Sequence, residues 1–104
     1  MAESELAVVT KAKDLCSCIM TVTQKSPKHF RFTFVSKLQN LSLDVIESLY
    51  RANDVFVAAG DAAAAQRRLA LQRDALASLK MLAYFSLLSM EQGCLLKRQY
   101  EQIA

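Results

Sequence analysis

Tryptophan is absent from this 104-residue chain, and it holds only two glycines, one proline and one histidine. So few turn formers exclude a many-stranded β protein, whose tight turns call for glycine and proline at regular intervals. Cysteine is also sparse, at three residues. Cys16 and Cys18 stand two apart and point to different sides of a helix. An odd cysteine count with one histidine reads as reduced thiols in a cytosolic protein, with a zinc site as the remote alternative. No glycine-rich phosphate loop, no serine elbow and no His-Cys-Asp combination at useful spacing is present. Cys94 beside Gly93 has no evident base, and Asp44 and Glu47 share their stripe with Lys37 and Arg51, the pattern of a solvated face. The chain therefore reads as non-enzymatic, with no metal and no cofactor. The longest near-apolar run, Met81 to Met90, is bracketed by Lys80 and Glu91 and is far shorter than the roughly 20 residues a membrane span requires. The acidic start, Met1 to Glu5, lacks the basic region of a signal peptide, so the expected location is the cytoplasm, away from the membrane.

What remains is plentiful apolar side chain. With 53% hydrophobic residues the chain is too apolar for disorder and reads as one domain over residues 1–104. Val8, Ala12, Leu15, Ile19 and Val22 step by four and three along a first helix, with Val9, Cys16 and Met20 as a second stripe. That helix ends near Lys25, because Ser26 precedes Pro27 and is pushed out of the α region. Residues 26–31 form a connection with room for one helical turn. A second helix starts near Thr33, a suitable N-cap. Its seam runs Val35, Leu38, Ser42, Val45, Leu49, Ala52 and Phe56, flanked by Leu43, Ile46, Tyr50 and Val57. Glu47 and Arg51 fall at i,i+4 on the polar face.

Gly60 suits the end of the second helix and Asp61 the N-cap of the third, which runs from Ala62 to about Gln92 and stops at Gly93. Leu69, Leu76, Leu79 and Ala83 make one seam of that helix, and Leu71, Ala75, Leu82 and Phe85 another. A helix apolar on so many sides calls for cover from several neighbours, which predicts a homo-oligomer. A short fourth helix over Leu95 to Ala104 presents Leu96, Tyr100 and Ile103. Short connections make the expected architecture an all-α, up-down-up-down four-helix bundle, assembling into a closed homo-oligomer.

The net charge of +3 is mild, but its distribution on this topology is uneven. Lys25, Lys28, His29, Arg31, Lys37, Lys97 and Arg98 collect at one end, against Glu91 and Glu101. At the other end Arg67 and Arg68 are balanced by Glu3, Glu5, Asp54 and Asp61. Arg73 and Lys80 repeat at i+7 along the third helix as a second patch. One basic pole is the surface on which nucleic-acid phosphates would be met. His29 reads as a surface or capping residue. Phe30, Phe32 and Phe34 alternate around Arg31, and aromatics among bases can stack on nucleobases. Their place before a helix instead makes them core plugs and staples.

Ser26-Pro27-Lys28-His29-Phe30-Arg31-Phe32-Thr33, then Leu38 to Glu47 and Tyr50-Arg51-Ala52-Asn53, resemble the first connection and second helix of the Avd-like four-helix bundle proteins. Gln72 to Leu76 and Leu79 to Gln92 resemble that family's third helix. The resemblance spans nearly the whole chain and rests on packing and capping patterns. It implies a homopentameric barrel that binds RNA or DNA through phosphate contacts. It also implies a partner reverse transcriptase, as for the accessory variability determinants of diversity-generating retroelements. Lys25, Lys28, Arg31, Lys37, Lys97 and Arg98 would carry the binding, with Arg73 and Lys80 as the second patch. The fourth helix is shorter here than is usual in that family. The alternative is a structural or protein-interaction oligomer of the 23S ribosomal RNA intervening-sequence type, without strong nucleic-acid binding.

Overall fold

The computed structural model describes the backbone of residues 3–103 and the side chains of residues 6–103. The described residues form four α-helices, α1 Glu3–Thr23, α2 Ser36–Asp54, α3 Ala62–Glu91 and α4 Lys97–Ile103, and no strand. A 3₁₀ turn, Lys28–Phe30, and a π turn, Arg31–Val35, lead into α2. The molecule measures 51 × 22 × 18 Å. Its length follows from α3, whose 30 residues span about 45 Å at 1.5 Å per residue.

The helix ends follow from local chemistry. Asp61 caps α3, its Oδ1 accepting from the Ala64 N–H at 3.0 Å. At the other end Gly93 adopts φ 87°, and the Cys94 N–H bonds to Ser89 O at 2.8 Å while Gly93 N–H bonds to Met90 O at 3.1 Å. These paired bonds form a Schellman motif, in which a glycine takes up the left-handed conformation at no steric cost. The Leu96 N–H donates to the Gln99 side-chain carbonyl at 2.9 Å and so caps α4.

Several boundaries differ from the sequence expectation. The chain is already helical from Lys28, so Thr33 lies inside the π turn rather than at an N-cap, and its hydroxyl bonds back to Phe30 O. No side chain caps α2, because the preceding turns hold its first N–H groups: the Ser36 N–H reaches Arg31 O and Thr33 O. At its far end α2 stops at Asp54, and Val55 turns extended at ψ 111°. Phe56 therefore leaves the seam predicted for it and is 83% exposed. Gly60, at φ 82°, serves the turn before Asp61 rather than the end of α2. α4 starts at Lys97, and in the turn before it Leu95 is buried whereas Leu96 is exposed.

α2 is the central helix, packing on α1 along one side and α3 along the other, while α1 and α3 scarcely touch. α4 touches both α1 and α3 and occupies part of the space between them. Ile19, Val22, Leu38, Leu41, Leu82 and Leu95 form the main core, with Leu15, Phe85, Met90 and Ile103 against it. Each fully buried leucine or isoleucine there contributes about 1.5–3 kcal/mol. The four helices meet at this end of the molecule, where α1 finishes, α2 begins and the α3–α4 turn lies. Toward the other end the buried positions are smaller: Val9, Ala12, Val45, Ala52, Ala64 and Ala75.

Of the two seams predicted on α3, the Ala75 and Leu82 seam is the buried one, continued by Ala64, Ser78, Ser86 and Ser89. The other stays open: Leu69, Leu76 and Leu79 are all exposed. The predicted Glu47–Arg51 pair forms at 2.7 Å, but both side chains are more than half exposed, so it adds little.

Candidate nucleic-acid interface

All eight of the cations predicted to meet nucleic acid, Lys25, Lys28, Arg31, Lys37, Arg73, Lys80, Lys97 and Arg98, are exposed. Among the described residues, none of them is tied up in an ion pair. The connection after α1 and the turn before α4 share one end of the molecule, because Val22, Leu38 and Leu95 pack in one core there. Burial pushes the Cys94 thiol up from its ordinary range, which keeps it protonated at neutral pH. Cys16, Cys18 and Cys94 are all free, and no group of three or more His, Cys, Asp or Glu among the described residues can hold a metal ion.

The structure brings some of the predicted cations together and separates others. Lys28 and Arg31 stand on the wall of one cleft of about 530 Å³, formed between the end of α1 and the start of α2. Lys25 lies three residues before Lys28 in the same connection, and Lys97 and Arg98 open α4 just beyond the turn that holds Cys94. Lys37 faces another way, its ammonium 5.7 Å from the centre of the Phe85 ring on α3. Lys80 and Arg73 lie roughly 16 and 27 Å along the α3 axis from Glu91, at 1.5 Å per residue, so they form a separate patch. The acidic residues expected to offset Arg67 and Arg68 at the far end include Glu3 and Glu5, whose side chains lie outside the described residues.

The aromatic residues of the connection do not behave alike. Phe30 and Phe34 are half-buried, with ring centres 5.7 Å apart, and the His29 ring lies against Phe30 at 4.1 Å. Phe32 is 88% exposed, so it is neither a core plug nor a staple. The cause is helical geometry. At close to 100° per residue, positions 30 and 34 share a face and position 32 points to the opposite one. The same arithmetic places Lys28, Arg31, Phe32, Val35 and Gln39 on a single face, and this face lines the cleft.

The floor of the cleft is polar. The Gln39 amide donates to the Thr23 hydroxyl at 3.0 Å, and that hydroxyl donates to Ile19 O at 2.6 Å. Thr23 and Gln39 were not among the predicted site residues, and Phe32 was set aside there as a core plug. The 28, 31, 32, 35, 39 spacing carried a signal for Phe32 and Gln39, but only for a segment already taken to be helical.

No described helix is long and apolar enough to cross a membrane. Comparison with known protein families, with curated proteins and with solved structures found no match to this chain.

Proposed function

We propose that this protein is a non-enzymatic, nucleic-acid-binding accessory subunit of the Avd-like four-helix bundle kind, assisting a reverse transcriptase of a diversity-generating retroelement. The observation that carries the reading is the concentration of exposed cations free of ion pairs at one end: Lys25, Lys28 and Arg31 in the connection, Lys97 and Arg98 at the start of α4. Such a cluster attracts phosphates by releasing their condensed counterions, and it needs no reactive side chain.

Assembly belongs to the same reading. The open stripe of Leu69, Leu76 and Leu79 on α3, with Leu87 in line, is the kind of apolar surface that another subunit covers. Subunit contact there would complete the four-helix bundle where α4 ends. The resemblance makes the assembly a homopentamer. The same open stripe also favours the alternative, a structural oligomer of the 23S ribosomal RNA intervening-sequence type with little affinity for nucleic acid.

A titration of the purified protein with structured RNA and with duplex DNA, at low and moderate salt, separates the two readings. The accessory reading expects micromolar or tighter binding that weakens steeply with salt, by up to roughly 0.9 decade per phosphate contact per decade of salt. Lys28→Glu with Arg31→Glu abolishes that binding while helicity is retained. Lys37→Glu, whose ammonium faces Phe85, has a smaller effect. Absence of binding by a well-assembled oligomer overturns the accessory reading in favour of the structural one.

A further inference from the structure

We propose that Phe32 is a base-stacking platform and that the cleft beside it takes single-stranded nucleic acid rather than duplex. The inference rests on the basic end being a nucleic-acid surface, and it names the form of nucleic acid which that surface selects.

A lone exposed phenylalanine is unremarkable on a protein surface. The surroundings of Phe32 set it apart. Its ring is 88% exposed on the rim of a cleft of about 530 Å³ that also carries Lys28 and Arg31. Phe56, the other phenylalanine exposed to a similar degree, lies in the 55–61 connection at the far end. Cations that follow the backbone beside an aromatic face that receives a base are the two components of single-strand recognition. Here one helical face supplies both, because Lys28 and Phe32 are four residues apart and Arg31 is adjacent.

The volume lies within the roughly 300–1,000 Å³ that encloses a small ligand, large enough for an unstacked base. The half-buried amide of Gln39, held by the Thr23 hydroxyl, gives the cleft a polar floor against which a base edge can hydrogen-bond. The platform is also well supported. The π turn is pinned by the Ser36 N–H bonds to Arg31 O and Thr33 O, and Phe30 packs on Phe34 across its other face. A duplex can bring only its phosphates to this cleft, because its bases are stacked on one another. A single strand can bring both phosphate and base. Stacking on Phe32 is indifferent to base identity, since every base has a π-face.

The test uses the full chain and three probes: a mixed-sequence single-stranded dodecamer, as RNA and as DNA, a blunt duplex of the same length, and inorganic phosphate. The chain has no tryptophan, so Phe32→Trp installs a single indole as a reporter at the platform. The single strand is expected to quench that indole in a saturable way, whereas duplex and phosphate leave it unchanged. Phe32→Ala, at an exposed position that the fold does not need, weakens single-strand binding by roughly 5- to 150-fold and leaves the salt slope as it was. Phe32→Leu, apolar but without a π-face, is equally weak. Lys28→Glu with Arg31→Glu weakens single strand and duplex together. If Phe32→Ala binds the single strand as tightly as the parent, or the strand binds without moving the indole emission, the stacking platform is wrong and the basic end stands. If the parent protein binds neither form, both readings fall together.

Discussion

Two stripes run along α3, side by side, and they are made of opposite materials. The buried one is Ala64, Ala75, Ser78, Leu82, Ser86 and Ser89. The open one contains Leu69, Leu76 and Leu79, followed by Ala83 and Leu87. A ranking by hydrophobicity alone would bury the leucines and expose the serines. Leu82 apart, the protein does the reverse, because burial within one chain depends on how closely two helices can approach. Alanine and serine on α3 keep side chains out of the gap and let α2 and α3 pack closely against each other. On the open side α1 and α3 stand apart, and only short α4 enters between them. Large side chains suit that gap, where another element has to fill the space.

The contrast can be broken first on the buried stripe. Leu82 is 2% exposed, and Leu82→Ala is expected to lower stability by about 2–5 kcal/mol, read from the denaturant midpoint. Leu76, which is 50% exposed, should differ in kind. Leu76→Glu with Leu79→Glu is expected to leave helicity intact while the mass by light scattering falls to that of one protomer. An unchanged mass would mean that the open stripe is not where subunits meet, and the meaning of its leucines would have to be sought elsewhere.

A smaller effect of opposite sign is expected one turn along. Ser86 borders a cavity of about 190 Å³ beside Leu15, Leu79, Leu82, Tyr100 and Ile103, and its buried hydroxyl has no hydrogen-bond partner among the described residues. An unpaired buried hydroxyl is destabilising by roughly 1–3 kcal/mol, so Ser86→Ala raises stability by about 1 kcal/mol. A loss of stability instead would show that the hydroxyl is satisfied, and that the serines of the buried stripe are there for their hydrogen bonds as well as for their size. Smallest is the change that treats both stripes alike. Asp61→Ala removes the N-cap of α3 and lowers the melting temperature by the equivalent of about 1 kcal/mol, with no change in assembly.

Much of the fold was legible because its signals are local. The end of α1 before Pro27, the Asp61 cap, the Gly93 stop and the Glu47–Arg51 pair each depend on residues within one or two turns of one another. The basic end was legible for the same reason, since Lys25, Lys28 and Arg31 are near neighbours in the chain. Phe32 was not. Three phenylalanines at alternate positions point one way in an extended connection and two ways in a helical one. The segment's conformation depends on the 3₁₀ and π turns that continue into α2. The facing of Lys37 was hidden on similar grounds: charge counting groups it with Lys28 and Arg31 at that end, and packing turns it toward Phe85.

The sequence by itself determined that the protein is helical, where most helices begin and end, and which cations share an end, because periodicity, capping and charge act over a few residues. The tertiary structure decided which stripe of α3 would be buried, because that choice depends on the fit between α2 and α3 and cannot be read from either helix alone. It also decided that Phe32 would stand exposed beside two cations, because only the path of the chain from α1 into α2 turns that face of the connection outward.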